Sequence, residues 1–255
     1  MSFTIITTVL NNDEFIYHCL KSVKNQKINK NKIEHLIIDA GSSDKTVDIV
    51  RKFRKKNKYV KFFLKKNFSI YQGINFGIKA SKKKYIGLLH SDDFFYNNNV
   101  LNTLEKNFKK TKNIDAIYSD VNIVKKNNIK KTLRYFKSRK LTSKDYLKYE
   151  HPPHTSLFLK KSVFKKYGLY DENFKIASDF DFMLRVLGKK NIKSKYINKT
   201  LVIMRSGGTS TKSLKNIIIS NYEALRSFKK NNLKINFIYI FAKIFRKIIQ
   251  IRFFN

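Results

Sequence analysis

The sequence contains few of the residue types that cross-link a chain or interrupt its helices and strands. Its 255 residues include one cysteine, two prolines, eight glycines and no tryptophan. The lone Cys19 excludes an internal disulfide and fits a reducing compartment. Because it falls within an apolar pattern of helical spacing from Phe15 to Val23, we expect a buried helix residue rather than a nucleophile.

Long apolar runs and targeting signals are also missing. No stretch approaches the roughly 20 apolar residues that a membrane-spanning helix needs. The opening apolar run at residues 3–6 has no basic region before it, so we expect no signal peptide and a cytoplasmic protein. Internal repeats and long linkers are not visible either, which favours one catalytic domain with a helical tail.

Acidic residues are scarce, since 18 Asp and Glu stand against 55 Lys and Arg, a formal net charge of +37. One interpretation is a solvated lysine surface that follows from A/T-rich codons; the other is attraction to lipid headgroups, nucleic acid or diphosphates. Zinc-finger and RNA-module signatures are absent, so we expect no nucleic-acid partner. A hydrophobic fraction of 42% predicts a folded core.

The first 120 residues alternate between strand-like and helix-like segments. Asn12 or Asp13 is expected to cap the first helix, and Gly73 and Gly77 should let a later helix pack closely. Strands alternating with helices predict an α/β fold with a mostly parallel sheet flanked by helices. The predicted strands are residues 3–10, 33–39, 59–64, 84–89 and 114–119.

The pattern changes after residue 120. A hairpin is predicted over residues 121–136, and Pro152-Pro153 interrupts the chain before His154. The segments predicted beyond the prolines are a strand near 155–159, helices at 161–167 and 178–188, a loop at 205–213 and helix for the remainder.

Acidic residues follow two of the predicted strands. Asp39 comes directly after the apolar run at 36–38, and Asp92 and Asp93 come after the run at 85–89. Because the carboxyl ends of parallel strands share one edge of the sheet, both sets should meet there. Adjacent carboxylates after a buried strand suit Mg²⁺ or Mn²⁺; a plain polar turn is the alternative at each place.

Asp179 lies in the first turn of a predicted helix, where it is a candidate general base or only an N-terminal helix charge. Its ordinary pKa of about 3.9 would have to be raised by burial or by a nearby carboxylate. Asp181, at i+2, should point elsewhere and pair with Arg185. His154 is a ligand or substrate contact, or a surface residue.

A segment rich in Gly, Ser and Thr begins at Arg205. Gly207 and Gly208 would let the backbone approach a phosphate or a sugar, as in a mobile lid. A plain surface loop is the other interpretation.

Taken in order, these motifs resemble bacterial family 2 glycosyltransferases, in the branch similar to colanic-acid, exopolysaccharide and lipopolysaccharide transferases. The resemblance covers about residues 3–212. The stretches on which it rests are TIITTVLNN at 4–12, CLKSVKNQ at 19–26, IIDAGSSDKT at 37–46, SIYQGINFG at 69–77, IGLLHSDD at 86–93, HTS at 154–156, YGLYDE at 167–172, SDFD at 178–181 and GGTS at 207–210.

The resemblance implies a GT-A fold, a nucleotide-diphosphate sugar donor such as a UDP-sugar, and an inverting displacement. On this model Asp93 would bind Mn²⁺ or Mg²⁺, and Asp179 would take the proton from the acceptor hydroxyl. The residues implied to hold the nucleotide sugar are Thr7, Val9, Asn11, Asp39, Ser42, Tyr71, Asn75 and Asp92. Those implied at the acceptor side or lid are His154, Arg205, Gly207 and Gly208.

The same resemblance implies a domain organisation. Residues 1–212 would form the catalytic domain, with a nucleotide-binding half at 1–120 and an acceptor-binding half at 121–212. Residues 213–255 would form a basic amphipathic tail. The chain departs from the family pattern in having neutral Asn67 and Gln72 where acidic residues are frequent, which affects the expected donor.

Residues 233–254 place Lys243, Arg246 and Lys247 opposite an apolar stripe at helical spacing. An anionic membrane surface is one partner for such a helix, and the acceptor would then be a lipid-linked glycan at the cytoplasmic face. Packing on the catalytic domain, or on a second subunit in a homodimer, is the alternative.

Three rival functions follow from the same features. A nucleotidyltransferase would need a phosphate-gripping loop near the N-terminus, which residues 7–12 do not resemble. A catalytically degenerate relative would bind the sugar nucleotide without turnover. A nucleic-acid binder would rest on charge alone.

Overall fold

The computed structural model describes residues 1–148, 150–208 and 213–234. The predicted tail helix therefore lies outside the described residues from position 235 onward. Among the described residues, no helix is long and apolar enough to cross a membrane.

In the part of the chain that the structure describes, nine strands form one mixed sheet. The strands are β1 (Phe3–Val9), β2 (Ile33–Asp39), β3 (Val60–Leu64), β4 (Tyr85–Leu88), β5 (Phe94–Phe95), β6 (Ala116–Lys125), β7 (Asn128–Phe136), β8 (Phe158–Lys160) and β9 (Ser194–Arg205). Their order is β3-β2-β1-β4-β8-β6-β9-β5, with β7 paired to β6.

The parallel part of the sheet is the first half of the chain, where β1 pairs with both β2 and β4 and β2 pairs with β3. In the second half β8 runs antiparallel to β4 and β6, and β7 forms the expected hairpin with β6. Parallel pairing returns between β6 and β9. The α/β expectation is confirmed, while the parallel pairing is concentrated in the first half.

Within the described ranges, eight α-helices cover the two faces of the sheet. They are α1 (Ile16–Lys24), α2 (Thr46–Lys55), α3 (Ile70–Ala80), α4 (Val100–Lys110), α5 (Ser143–Leu147), α6 (Lys161–Tyr167), α7 (Ser178–Met183) and α8 (Leu214–Lys230). A π-helical segment, Leu184–Lys189, continues α7.

Alternation along β1 divides the core into two layers, because successive strand residues face opposite sides. Phe3 and Ile5 pack with Cys19 of α1 and Leu104 of α4 on one face. Ile6 packs with α3, α6, α7 and α8 on the other. Cys19 is fully buried, as expected for a helix residue in the core.

Close packing of α3 on the sheet explains its glycines. A Cβ on Gly77 would lie 2.7 Å from Ile6 Cγ2, and one on Gly73 would lie 2.8 Å from Thr8 Cγ2. The expected close approach is thus confirmed. Ser69 and Gln72 form a capping box at the start of the helix, so the neutral Gln72 caps α3.

The predicted cap of the first helix was wrong. The residue before α1 is Phe15, whose side chain makes no capping hydrogen bond. Asn12 and Asp13 instead tie neighbouring loops together, through Asn12 Nδ2 to Ser91 Oγ at 2.7 Å and the Asp13 N–H to Asp44 Oδ2 at 3.0 Å. Strand β9 ends at Arg205 and covers a stretch for which the sequence had indicated no element.

Helix α8 packs on the body of the protein. Its Ala224 and Phe228 belong to the same buried cluster as α7, and the Phe228 and Phe180 rings lie 5.7 Å apart. The boundary expected at residue 212 stays a prediction.

Candidate active site

A cavity of about 590 Å³ opens at the carboxyl edge of the parallel strands. Asp92, Asp93 and Asp179 line it together, although Asp179 is far along the chain from the other two. The other predicted site residues that line this cavity are Val9, Asn11, Tyr71, His154, Arg205, Gly207 and Gly208.

Asp39 ends β2 beside Val9 of β1. It is fully buried, and its neighbours Ile38 and Ala40 line the cavity in its place. Its Oδ1 accepts the backbone N–H groups of Gly41 at 2.8 Å and Ser42 at 2.7 Å, and its Oδ2 is buried without a partner. A buried carboxylate oxygen without a donor is costly, so it is a candidate acceptor for a ligand N–H.

Ser42 and Asn11 join the loops after β1 and β2. Ser42 Oγ accepts the Asn11 N–H at 2.8 Å, and Asn11 Oδ1 accepts the Ser43 N–H at 2.8 Å. Asn11 has a positive φ of 48°, which asparagine tolerates better than most residues. Ser42 shapes the loop that borders the cavity but does not line the cavity itself.

Thr7 and Asn75 do not line the cavity, in contrast to the expectation for both. Thr7 is fully buried and donates to Leu89 O at 2.8 Å, while its neighbour Thr8 lines the cavity because adjacent strand residues face opposite sides. Asn75 donates to Tyr170 O and Glu172 Oε1, both at 2.8 Å, so it fixes the chain after α6.

Asp93 is 1% exposed and lies beside Asp92. Its Oδ1 accepts the Arg205 N–H at 3.1 Å, and its Oδ2 is buried without a partner. Burial, then the neighbouring charge of Asp92, raises the pKa of Asp93 well above its ordinary value. Loss of solvation and like-charge repulsion both disfavour the ionised form, which a bound cation would reverse.

Arg205 was expected in a mobile lid, but it is the last residue of β9 and only 7% exposed. Its guanidinium donates to Asp92 O at 2.5 Å and Lys126 O at 3.1 Å, and it lies 4.6 Å from the centre of the Phe15 ring. Arg205 therefore fixes the backbone that holds the two carboxylates. It also contacts the His18 ring, 2.9 Å away, which the sequence did not indicate.

A chain of three polar side chains crosses the far side of the cavity. Asp179 Oδ2 lies 3.0 Å from His154 Nδ1, and His154 Nε2 lies 2.6 Å from His90 Nε2. Burial, then the charge of His154, lowers the pKa of His90 to about 4, so His90 is neutral at neutral pH. One of the two facing nitrogens must donate and the other accept.

The rise in pKa that a base at this position would need does not occur at Asp179. Burial, the largest single influence, acts to raise the pKa, but the charge and hydrogen bond of His154, the charge of His151 and the backbone N–H of Phe180 together lower it to about 2. The carboxylate is 22% exposed and is ionised across the neutral range. His90, adjacent to the Ser91-Asp92-Asp93 turn, had not been predicted as a site residue.

Tyr71 lines the cavity and also holds the segment before α7. Its hydroxyl donates to Ile176 O, accepts the Ser178 N–H at 3.1 Å and lies 3.5 Å from Asp179 Oδ1. Burial raises the pKa of this phenol well above its ordinary value. Tyr71 thus contributes to the position of Asp179 as well as to the cavity wall.

Asp181 points away from Asp179, as expected, but its predicted partner was wrong. It accepts from Lys230 Nζ and Asn231 Nδ2, each at 3.0 Å. Arg185 instead donates to the carbonyls of Tyr167 and Leu169. The sequence could not show this pairing, because it joins α7 to the end of α8.

The described residues contain no group of three or more His, Cys, Asp or Glu placed to hold a metal ion. Mg²⁺ in enzymes is commonly bound by one or two carboxylates, with phosphate oxygens and water as the other ligands. The unpaired Oδ2 of Asp93 beside Asp92 fits such a set. These residues are therefore compatible with a divalent cation that arrives together with a phosphate ligand.

Gly207 and Gly208 border the cavity opening, and a Cβ added at either would meet no atom within 4 Å. Gly207 has a positive φ of 94°. Residues 209–212 of the predicted lid lie outside the described residues.

The model for glycosyl transferase family 2 matches residues 4–168. An uncharacterized glycosyltransferase of Rickettsia typhi is 28% identical over 88% of this chain and 70% of its own length. A PGL/p-HBAD biosynthesis glycosyltransferase of Mycobacterium tuberculosis is 22% identical over 97% of this chain and 92% of its own.

Two groups of solved structures share the fold. S. aureus TarS 1-349, crystallised in complex with UDP, superposes with a TM-score of 0.70 at 19% identity, covering 91% of this chain and 65% of that one. The mannosyltransferase PcManGT of Pyrobaculum calidifontis, in complex with GDP-Man and Mn2+, has a TM-score of 0.63 at 13% identity, covering 90% of this chain and 67% of that one. The chain thus spans about two thirds of each of these two solved chains, and 39% of the longer TarS chain of another solved structure.

Proposed function

The chain belongs to glycosyl transferase family 2 and is a glycosyltransferase, and we propose that it transfers a sugar from a UDP-sugar to an acceptor hydroxyl with inversion at the anomeric carbon. The observation that supports this most directly is the position of Asp179 in the same cavity as Asp92 and Asp93. A single displacement needs the base and the site for the donor diphosphate to face the same cavity, so that the acceptor and the donor meet in the correct orientation.

The donor side of the proposal is the edge formed by the loops after β1, β2 and β4. Asp92, which lines the cavity, is proposed to meet the ribose. The unpaired Oδ2 of Asp39 is the proposed acceptor for the imino N–H of uracil, and this contact requires the wall formed by Ile38 and Ala40 to open on binding. A relative with the same fold was crystallised with UDP, which supports this choice of nucleotide.

Asp93, with Asp92 beside it, is the proposed holder of Mg²⁺ or Mn²⁺. When bound there, the cation would supply Lewis-acid stabilisation of the charge that develops on the diphosphate. The unpaired Asp93 oxygen and a Mn2+-containing structural relative support this assignment.

The acceptor side of the proposal is Asp179. As the acceptor oxygen bonds to the anomeric carbon, the bond from that carbon to the diphosphate breaks, and the hydroxyl proton passes to Asp179. With its pKa lowered to about 2, Asp179 is ionised at neutral pH but is a weak base. The proton therefore passes to it as the hydroxyl becomes more acidic during bond formation to the anomeric carbon. His154 holds the carboxylate in place at 3.0 Å, and Gly207 and Gly208 border the entry.

The proposed acceptor is a glycan or a lipid-linked glycan of surface polysaccharide. The net charge of +37 supports peripheral attachment to an anionic membrane, with residues 233–254 as the proposed attached part. The cytoplasmic face of that membrane is the proposed location of the reaction.

A panel of nucleotide sugars tests the function. We expect UDP release from one UDP-sugar when Mn²⁺ and an acceptor are present, and its loss with EDTA. Asp93→Asn should lower the rate at least about 100-fold, because the missing charge is one that a metal site needs. The exposed Asp48→Asn is the matched control and should behave as wild type.

Other outcomes of the panel favour the rivals. A thermal shift with UDP-sugar but no release under any condition would indicate a degenerate binding protein. Release that is equally fast with EDTA would remove the metal from the proposal. Nucleic-acid affinity that falls steeply with salt, without any nucleotide-sugar response, would contradict the proposed function.

A further inference from the structure

Helix α8 lies beyond the family match, which ends at residue 168, yet it contacts the segment around Asp179 on both sides. We propose that α8 is a positioning element for Asp179, with Glu223 as its principal residue. This inference rests on the proposed role of Asp179 as the base.

The chain before α7 has no regular structure between residues 171 and 177. Three successive backbone N–H groups there donate to one carboxylate: Lys175 to Glu223 Oε1 at 2.6 Å, and Ile176 and Ala177 to Glu223 Oε2, both at 2.8 Å. Lys175 and Ile176 also line the cavity. Glu223 therefore determines the course of the backbone immediately before Asp179.

Burial of Glu223 makes these contacts strong. The residue is 5% exposed, and it forms none of the ion pairs found within the described ranges. Its charge is instead met by backbone donors, and such charge-assisted hydrogen bonds are about twice as strong as neutral ones. Removing the charge leaves three backbone N–H groups competing for one amide oxygen.

The end of α8 holds the other side of Asp179. Asp181 is fully buried, and it accepts from Lys230 and Asn231, while Phe228 packs on Phe180. Two contact sets on α8 thus hold residues 175–177 and 180–181, and Asp179 lies between them.

On the side away from α8, this segment is held by Tyr71 of α3. Its hydroxyl bonds to Ile176 O and the Ser178 N–H. The backbone from 175 to 178 is therefore held from two directions. A base that must meet an acceptor hydroxyl within hydrogen-bond distance depends on this placement, since an error of 1 Å can cost about 100-fold in rate.

Glu223→Gln tests the proposal. We expect kcat to fall about 10- to 100-fold, with the donor KM and the number of UDP molecules bound per chain unchanged within twofold. The same substitution in a chain that already contains Asp179→Asn should cost no further rate, because Glu223 acts through Asp179. A merely structural role would lower the UDP-binding fraction and the rate together in both backgrounds.

Glu34→Gln is the matched control. Glu34 is 3% exposed, accepts a backbone N–H from Lys82 and lies in β2, away from the cavity. The Glu34→Gln variant should be less stable than wild type but keep the same kcat per folded chain. Equal losses of kcat in Glu223→Gln and Glu34→Gln would overturn the proposal.

A readout independent of turnover separates this inference from the proposed function. The five histidines can be observed by imidazole NMR, with His154 assigned through His154→Asn. If Glu223 positions Asp179, the His154 signal of Glu223→Gln should move toward that of Asp179→Asn, while Glu34→Gln leaves it unchanged. An unmoved His154 signal contradicts the inference even if wild type transfers sugar; a moved signal with an inactive wild type supports it and contradicts the proposed function.

Discussion

Asp179 is held in its ionised form by a histidine that reaches it from the other side of the cavity. His154 Nδ1 lies 3.0 Å from the carboxylate, and His154 Nε2 lies 2.6 Å from His90 Nε2. The position of the base thus depends on residues separated from it along the chain. Its chemistry is set by these neighbours more than by its place in a helix.

Replacing Asp179 with Asn should remove the base and keep the cavity. We expect kcat to fall about 10²- to 10⁴-fold, the usual contribution of a general base. Calorimetry with UDP should give an unchanged affinity, because Asp179 faces the acceptor. A rate within threefold of wild type would contradict the assignment.

The pH dependence of stability should also change in this variant. Because the pKa of Asp179 is lowered to about 2 in the folded protein, its stabilising contribution is complete above the ordinary value near 3.9 and is lost as the pH falls through 2. Urea unfolding of wild type and Asp179→Asn from pH 3 to 7 should therefore show the wild type losing stability relative to the variant below about pH 4. A difference that is constant with pH would contradict the lowered pKa.

At the scale of elements, α3 links the sheet to the active site. Its glycine face lies directly on β1 and β2, and its Tyr71 reaches the segment before Asp179. Any displacement of α3 from the sheet must move Tyr71 with it.

Gly77→Ala should therefore destabilise the protein and lower its activity. The new Cβ would lie 2.7 Å from Ile6 Cγ2 and 3.2 Å from Ile38 Cδ1, both in the core. Overpacking costs about 1–3 kcal/mol, which exceeds the gain of about 1 kcal/mol from a better helix former. Urea denaturation should show a net loss of up to about 2 kcal/mol. The exposed Lys79→Ala in the same helix should change the free energy of unfolding by less than about 0.5 kcal/mol.

At the scale of the whole molecule, the net charge of +37 is the dominant property. Lysines on all parts of the surface would give weak attraction to any anionic surface, whereas a specific attachment would depend on one segment. The basic residues of the tail at 233–254 are the predicted segment.

Vesicle binding distinguishes the two cases. We expect stronger binding to phosphatidylserine vesicles than to phosphatidylcholine vesicles, and a loss of about 100-fold when Lys243, Arg246 and Lys247 are replaced by Gln, since each charge contributes about 1 kcal/mol. The control replaces Lys52, Lys55 and Lys56, which are exposed at and just beyond α2, with the same change in charge. Equal losses in both variants would mean diffuse attraction and no attachment by the tail.

The sequence by itself determined the alternation of strands and helices in the first half. A buried strand and an amphipathic helix each produce a characteristic pattern of apolar residues at short spacing. It also placed Asp39, Asp92 and Asp93 at strand ends, since parallel strands share one edge. Strand β9 escaped prediction because its pairing with β6 shifts register between Ile197 and Thr200, which breaks the alternation.

Only the tertiary structure decided how the carboxylates are held. Arg205 binds the Asp93 turn across 112 residues, His154 meets His90 across 64, and Glu223 holds Ala177 across 46. Contacts between such distant residues produce no repeating pattern in the sequence, because they exist only once the sheet has brought the chain segments together. For the same reason the direction of the pKa shift of Asp179 could not be predicted, because it depends on His154, a partner that local sequence does not identify.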